Sequence, residues 1–182
     1  MAWLDRQREL GRVFWHPGVM VTVRAALAHD EPFLREVLAS AADWRPEHAV
    51  RSGHEVMCDP AIARYLARWP LNSDFGVVAD DDGGSVGAAW CRYFDEDSHG
   101  YGFVAADVPE LTIGVVAGRR GEGIGRLLLA ELAREARDRG IERISLSVEA
   151  DNPAISLYAD FGFVEVSRVA DSPTMVLGCR TT

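Results

Sequence analysis

The sequence RRGEGIG at residues 119–125 places two arginines and three alternating glycines directly before the leucine-rich run RLLLAELAREA. The preceding stretch, ELTIGVV, has the apolar alternation of a strand, and the following run repeats its apolar residues at helical spacing. A glycine-rich turn between a strand and a helix exposes backbone N–H groups at the positive end of the helix dipole. This stretch therefore predicts a strand-loop-helix unit whose loop binds an anion.

Known phosphate-binding patterns narrow the interpretation of this loop. The Walker pattern fails because no Lys-Ser or Lys-Thr pair follows a glycine at the required spacing. The dinucleotide pattern GxGxxG fails because the glycines lie at Gly121, Gly123 and Gly125. The remaining pattern is R-x-x-G-x-G, which begins at Arg120. Taken alone, it is equally typical of a tightly packed turn that holds no ligand.

The composition indicates one globular domain with an acidic surface. The 182 residues are 48% hydrophobic and 26% charged, which suffices for one core and argues against disorder. The 19 basic and 28 acidic residues give a net charge of −9, which disfavours nucleic acid and slightly favours cationic substrates. The sequence contains no run of membrane-spanning length and no signal segment. Because Cys58, Cys91 and Cys179 are too scattered for disulfides or a metal site, we expect a cytoplasmic protein without a metal or a membrane partner.

Strand and helix signals alternate along most of the chain. Strands are predicted at 20–27, at 75–94 as a hairpin, and at 110–116, 142–148, 163–169 and 174–179. Helices are predicted at 29–44, 59–69, after the glycine loop, and at 151–163, with Asp30, Asp59 and Asn152 as N-terminal caps. The order β-α-α-β-β-β-α-β-α-β-β predicts an α/β fold with helices packed against a mixed sheet.

The helix after the glycine loop has one predicted core face and one predicted solvent face. The core face consists of Ile124, Leu127, Leu128, Leu132 and Ala136. The solvent face consists of Glu131, Arg134, Glu135 and Arg137.

Residues 1–19 are interpreted as an N-terminal extension, and residues 20–182 as the domain. The weak helical spacing of Leu4, Leu10 and Phe14 ends at a His-Pro-Gly sequence, so an appendage and a packed N-terminal helix are equally compatible with it. The extension is either native or the product of an upstream start site.

Residues 110–166 resemble the GNAT superfamily of N-acetyltransferases. The L-x-I-x-V strand, the R-x-x-G-x-G loop and the amphipathic helix are similar to the central motif of that family. The stretch SLSVEADNPAISLYADFGF is similar to its next motif, a strand followed by N-x-x-A/S…Y…G-F. One position departs from the pattern, since Ala117 stands where a proline is usual. Towards Met20 the resemblance continues only in the order of the elements.

The resemblance implies a mostly antiparallel sheet with two splayed strands and acetyl-CoA as the co-substrate. In this family the pantetheine arm pairs with the exposed backbone of the central strand. The diphosphate binds the loop, because glycines allow its oxygens to approach several N–H donors. The implied cofactor-binding residues are Ile113, Val115, Arg120, Gly121, Gly123, Gly125, Arg126 and Asn152.

The resemblance also implies catalytic residues. Tyr158 matches the family's general acid, although its position also suits an aromatic packed beside Phe161 and Phe163. Glu110 is our first choice for the general base because it opens the central strand, and the alternative is an exposed strand-start residue. Glu149 and His99 are the other candidate bases. Because no cysteine has a partnered base in the sequence, we expect direct attack in a ternary complex, with the N–H of Val115 as a candidate oxyanion donor.

The acceptor is expected to be a primary amine of a small molecule or of a protein. The segments that would contact it are Trp44, Arg45, Glu47 and His48 in one loop and Asp95, Glu96 and Asp97 in another, and both also suit ordinary solvated loops. A non-catalytic acyl-CoA-binding module and a nucleotide-binding fold are the alternatives. Domains of this kind commonly form homodimers, but no stretch predicts an interface.

Overall fold

The computed structural model describes residues 11–16, 19–45 and 51–179. It contains eight strands: β1 (Arg12–His16), β2 (Val19–Ala25), β3 (Phe75–Asp81), β4 (Gly84–Arg92), β5 (Glu110–Val115), β6 (Arg143–Ser147), β7 (Val164–Val169) and β8 (Ser172–Gly178). These strands form one sheet in the order β1-β2-β3-β4-β5-β6-β8-β7. The predicted mixed, mostly antiparallel sheet is confirmed, since every pair is antiparallel except β5 and β6.

Five helices flank this sheet in the described part of the chain: α1 (Glu31–Ala42), α2 (Gly53–Val56), α3 (Pro60–Ala63), α4 (Ile124–Asp138) and α5 (Ala154–Phe161). Short 3-10 turns occur at Ala28–Asp30 and Ala117–Arg119. Within the described ranges, none of the helices has the length and apolar character needed to cross a membrane.

The sheet separates two hydrophobic clusters. α4 covers one face, with Leu128 and Leu132 packed against strand residues such as Ile144 and Leu146. α1 and the segment at 65–69 cover the other face around the fully buried Trp90. Burial of these large apolar side chains on both faces fixes the central strands, so β5 and the loop after it have a rigid support.

β5 and β6 separate soon after they meet. Their parallel ladder has a single described residue pair, Glu110 with Ser145, supported by the bond from Ser145 N to Pro109 O at 3.0 Å. On its other side β5 continues to pair with β4 as far as Val115. A gap therefore lies between the C-terminal ends of β5 and β6, directly beside the glycine loop.

The first described residues form a strand, whereas the sequence was equally compatible with an appendage and with a packed helix. Residues 12–16 pair antiparallel with β2, and Phe14 lies opposite Val21. The packed-helix interpretation is wrong for this segment, because pairing with β2 extends the sheet by one edge strand. Residues 1–10 and 17–18 lie outside the described residues, and the boundary between 19 and 20 stays a prediction.

The predicted solvent face of α4 is wrong at Glu131. This side chain is buried and accepts hydrogen bonds from Arg12 Nη1 and Arg134 Nε, each at 3.0 Å. β1 carries Arg12 against the helix face that would otherwise meet water. Without a paired cation, burial of this carboxylate would be costly.

The helix predicted at 59–69 is shorter than expected. It ends at Ala63, and turns follow up to Arg68, which has a φ of 56°. A short helix that the sequence did not predict, α2, begins at Gly53 after its N-cap Ser52, whose hydroxyl accepts from Glu55 N in a capping box. This irregular path places the side chain of Tyr65 against the central strands, where it contributes to the site described next.

Candidate active site

The glycine loop ends in a helix N-terminus that no side chain among the described residues caps. Gly123 occupies the N-cap position of α4 with a φ of 79°, a left-handed conformation that favours glycine. Gly121 has a φ of 82°. A Cβ on Gly125 would lie only 3.1 Å from Leu157 Cδ2 on α5. The N–H groups of the first helical turn therefore lack a side-chain acceptor, and this arrangement fits an anionic group.

The arginines beside the loop have protein partners. Arg120 donates to Val115 O at 3.2 Å and to Ser40 Oγ on α1 at 2.6 Å, and its side chain is exposed. Arg126 Nη2 lies 3.6 Å from Asp160 Oδ2, with both side chains more than half exposed. Because exposed ion pairs and hydrogen bonds of this kind are weak, both guanidinium groups can exchange these partners for a phosphate. Their predicted cofactor role stays a prediction.

The open side of β5 faces the gap between β5 and β6. Pro109 O points towards β6, and Val116 N donates to Val86 O on the β4 side at 3.0 Å. Because strand backbones alternate in direction, Ile113 and Val115 direct their N–H and C=O groups into the gap. This is the edge that a pantetheine amide would need. Nearby, Asn152 caps α5 through a 2.9 Å bond from Ala154 N, one residue earlier than an ideal cap because Pro153 holds the N-cap position.

Tyr158 lies on α5 and is 8% exposed. Its ring packs edge-to-face against Phe163, with centroids 5.8 Å apart. Burial raises the pKa of Tyr158 to about 12, so the hydroxyl is protonated at neutral pH. The Tyr158 side chain therefore packs beside Phe163, as the alternative interpretation expected, and its hydroxyl retains a proton that it can donate.

Glu110 is buried, with 3% of its surface exposed, which excludes the exposed strand-start interpretation. Its Oε1 accepts two hydrogen bonds of 2.7 Å, from Tyr65 Oη and Gly102 N. Its Oε2 is buried, and none of the described residues forms a hydrogen bond with it. Burial is the main effect on this carboxyl, and it raises the pKa of Glu110 above its ordinary value despite both donors. A carboxylate with one free, desolvated oxygen has the properties of a general base.

The loop at 99–102 closes over Glu110. A Cβ on Gly100 would lie 2.3 Å from Glu110 Oε2 and 2.4 Å from Tyr65 Oη, so only glycine fits here. Tyr101 N donates to Tyr65 Oη at 2.6 Å. Sequence reasoning missed Tyr65 entirely. The Gly-Tyr-Gly sequence at 100–102 is the one local signal that a backbone passes close to another group there.

The two alternative bases have other partners. Glu149 forms an ion pair with Arg45 and is 41% exposed. His99 bonds Gly100 O through Nδ1 at 2.8 Å and stacks on Phe103. Neither has the buried, unpartnered oxygen of Glu110. Glu110 is therefore the best placed of the three candidates for proton abstraction.

The predicted acceptor loops are only partly described. Arg45 stacks over Trp44 at 4.6 Å from the ring centroid and bonds Asp151 at 2.9 Å. Glu47 and His48 lie outside the described residues. In the other loop Asp95, Glu96 and Asp97 are exposed, and Asp95 accepts from Ser98 N at 2.7 Å. The acidic loop has the exposure of an ordinary solvated segment.

The raised pKa of Glu110 predicts how the stability of the protein depends on pH. The folded protein holds this proton more tightly than the unfolded chain, so wild-type stability falls as pH rises from about 4.5 through the raised pKa. Glu110→Gln cannot titrate and lacks this fall. We expect the free energy of unfolding of the variant, relative to wild type, to increase with pH across that window and then to level off. Urea unfolding at a series of pH values measures this difference, and a difference independent of pH would contradict the raised pKa.

The chain matches known proteins over most of its length. The model of the acetyltransferase (GNAT) family matches residues 39–163. A mycothiol acetyltransferase of Saccharomonospora viridis is 31% identical over 141 residues, covering 75% of this chain and 43% of the relative. A streptothricin acetyltransferase of Streptomyces lavendulae is 38% identical over 116 residues, covering 54% of this chain and 61% of the relative. The chain thus spans less than half of the mycothiol acetyltransferase.

Solved structures have the same fold. The ribosomal-protein-alanine N-acetyltransferase of Brucella melitensis superposes with a TM-score of 0.63 at 26% identity, covering 86% of this chain and 98% of that chain. A phosphinothricin acetyltransferase of Sinorhizobium meliloti, solved in complex with acetyl-CoA, gives a TM-score of 0.63 at 22% identity, covering 87% and 88%. At that identity the second likeness shows the fold alone.

Proposed function

The chain belongs to the acetyltransferase (GNAT) family, and on that premise we propose that it transfers the acetyl group of acetyl-CoA to a primary amine of a small molecule. The observation that carries the proposal is Glu110, a buried carboxylate with one unpartnered oxygen. It opens the strand that borders the gap between β5 and β6. A desolvated base beside a slot for an extended ligand suits acyl transfer to an amine.

The loop and the gap would hold acetyl-CoA as co-substrate. The uncapped first turn of α4 suits the diphosphate. Arg120 precedes this turn and Arg126 lies within it, so both guanidinium groups can add hydrogen bonds to phosphate oxygens. The backbone groups of Ile113 and Val115 suit the amides of the pantetheine arm. Asn152 can donate its side-chain N–H groups while its Oδ1 caps α5. Bound acetyl-CoA supplies an activated thioester, and the protein supplies positioning and proton transfer.

Two side chains transfer protons in the proposed reaction. Glu110 Oε2 accepts the proton that the amine must lose, since the amine nitrogen attacks only with a free electron pair. Tyr158 donates its hydroxyl proton to the sulfur as the carbon–sulfur bond breaks. After attack the nitrogen still carries one proton more than the amide does, and it releases this proton as the intermediate collapses, so Tyr158 recovers the proton that it gave to sulfur. The products are the amide and the free thiol of coenzyme A, and the charges balance once Glu110 returns its proton to solvent.

Replacing Tyr158 with phenylalanine is expected to lower kcat by about 100-fold. The ring and its contact with Phe163 persist, so the fold and the affinity for acetyl-CoA stay within a few fold of wild type. Steady-state thiol release and calorimetric titration measure the two quantities. An unchanged kcat would remove Tyr158 from the mechanism and leave it a core residue.

The cysteines support direct transfer without an acyl-enzyme. All three thiols are free, and burial raises the pKa of Cys91 and of Cys179, so these two thiols are poor nucleophiles. Three unpaired cysteines also support the proposed cytoplasmic location. Recovery of radiolabelled acetyl on the denatured protein would contradict direct transfer.

A small-molecule acceptor is supported by the relatives, whose names refer to the small molecules mycothiol and streptothricin. The name of one structural neighbour gives the alanine of a ribosomal protein instead. The net charge of −9 favours a cationic amine in either case. Thiol release should therefore be followed with cationic small amines and with a basic peptide that begins with alanine. Turnover with small amines supports the proposal, and turnover with the peptide alone would replace the proposed acceptor. Acetyl-CoA binding without turnover on either panel would favour the non-catalytic acyl-CoA-binding module.

A further inference from the structure

We propose that Tyr65 is a positioning residue for Glu110. Its hydroxyl holds Oε1 of the carboxylate and leaves Oε2 as the atom that accepts the proton of the amine. The inference rests on the proposed function, because it assigns a role to each oxygen of the proposed base.

The hydrogen bonds around the Tyr65 hydroxyl have a fixed direction. Tyr101 N has only a proton to give, and it donates to Tyr65 Oη at 2.6 Å. The single hydroxyl proton is therefore directed at Glu110 Oε1, 2.7 Å away. Burial raises the pKa of Tyr65, so this proton stays on the hydroxyl across the working pH range. With Gly102 N as a second donor, Oε1 is saturated and Oε2 is not.

The backbone that carries Tyr65 is held from β4. Trp90 Nε1 donates to Tyr65 O at 2.9 Å. Arg92 Nη1 donates to Arg64 O at 2.8 Å and to Ala67 O at 2.9 Å. Arg92 is itself buried in an ion pair with Asp74. Three hydrogen bonds from one rigid strand to the carbonyls of residues 64, 65 and 67 give Tyr65 the fixed position that a positioning residue requires.

A second unpartnered atom lies beside Glu110. Ser145 is the ladder partner of Glu110 on β6, so both side chains leave the same face of the sheet. Within the described residues, Ser145 Oγ, like Glu110 Oε2, is buried without a hydrogen-bond partner. Buried unpaired polar atoms are rare, and two at paired positions are consistent with a site for a polar group.

The charged and titratable groups near Glu110 come from three elements: Arg64 and Tyr65 after α3, Cys91 and the Arg92–Asp74 pair at the β4 side, and His99 in the loop. Arg64 and His99 favour the charged carboxylate, and burial opposes it. Removing the Tyr65 hydroxyl takes away one donor to the charged form and leaves the other groups in place. The pKa of Glu110 should then rise further.

The test is the pH dependence of kcat/KM for Tyr65→Phe. The acidic limb should move up by about one pH unit, because the free energy of a hydrogen bond to a charged group is of this order. At pH values below the limb, this shift lowers kcat/KM about tenfold. Above the limb the activity should return to within a few fold of wild type. The KM for acetyl-CoA should not change. Tyr93→Phe, a matched loss of a hydroxyl outside this network, should leave the limb in place.

A merely structural role would lower kcat/KM equally at every pH, and that result would overturn the inference. A measurement that does not depend on turnover distinguishes a failure of this inference from a failure of the proposed function. In protein with 13C-labelled glutamate carboxyls, assigned with Glu110→Gln, the Glu110 titration should move up in Tyr65→Phe by the same pH unit. That shift in a protein without turnover would reject the proposed function and retain the Tyr65–Glu110 coupling. An unshifted titration in an active enzyme would reject the inference alone.

Discussion

Replacing Glu110 with glutamine is expected to lower kcat by about 100- to 1,000-fold. Glutamine has the size of glutamate, and its amide oxygen can keep the hydrogen bonds from Tyr65 and Gly102. It cannot accept a proton at the position of Oε2. Because the glycine loop, the proposed binding site of the co-substrate, is untouched, the affinity for acetyl-CoA should change by no more than a few fold. Steady-state kinetics of thiol release at saturating amine measure the effect.

Glu149→Gln is the informative companion variant. Glu149 forms an exposed ion pair with Arg45, so its loss should change kcat by less than about tenfold. If Glu149→Gln abolished turnover while Glu110→Gln did not, the base would be Glu149, and the buried carboxylate would have only a structural role.

The second large effect is expected from Gly123→Ala in the loop before α4. A φ of 79° costs a residue with a Cβ about 1–2 kcal/mol. The variant loop relieves this strain by leaving the conformation that presents its N–H groups, and a ligand must restore that conformation on binding. We therefore expect the affinity for acetyl-CoA to fall by about 5- to 30-fold. Calorimetric titration of the two proteins measures the ratio.

The same loop region contains a matched control. Gly118 is exposed, its φ lies outside the left-handed region, and a Cβ there would meet nothing within 4 Å. Gly118→Ala should bind acetyl-CoA as wild type does. Equal losses in both variants would mean that the loss does not come from the left-handed geometry at Gly123. Retained affinity in both would mean that this geometry is not needed for binding.

Local patterns predicted the parts of the fold that depend on neighbours in sequence. The strand at 110–115, the glycine loop and α4 follow from apolar periodicity and turn chemistry alone. The N-cap of α5 was placed one residue early, because Pro153 takes the cap position while Asn152 still accepts the hydrogen bond. Such shifts of one residue are set by local backbone geometry rather than by residue type.

The errors concern contacts between distant residues. Glu131 has the helical position of a solvent-facing residue, and its burial depends on Arg12, 119 positions away, together with Arg134 on the same helix. β1 pairs with β2 although its sequence has a weak helical pattern, because tertiary contacts override local propensity.

The sequence predicted only part of the candidate site. Glu110 could be proposed from its place at the start of a strand, but its burial depends on a loop that closes over it and on Tyr65, 45 positions earlier. No periodicity links those segments. The features that suit Glu110 to the proposed role of general base, its raised pKa and its unpartnered oxygen, therefore required the three-dimensional structure.

The central claim is that the amides of the glycine loop and the gap between β5 and β6 bind coenzyme A and its acetyl ester. Calorimetric titration of coenzyme A into the folded protein, with pantetheine lacking the diphosphate as a parallel ligand, tests it most directly. We predict saturable heat at a single site for coenzyme A and much weaker binding of pantetheine. A folded protein that gives no saturable heat with coenzyme A, or that binds pantetheine equally well, would contradict the claim.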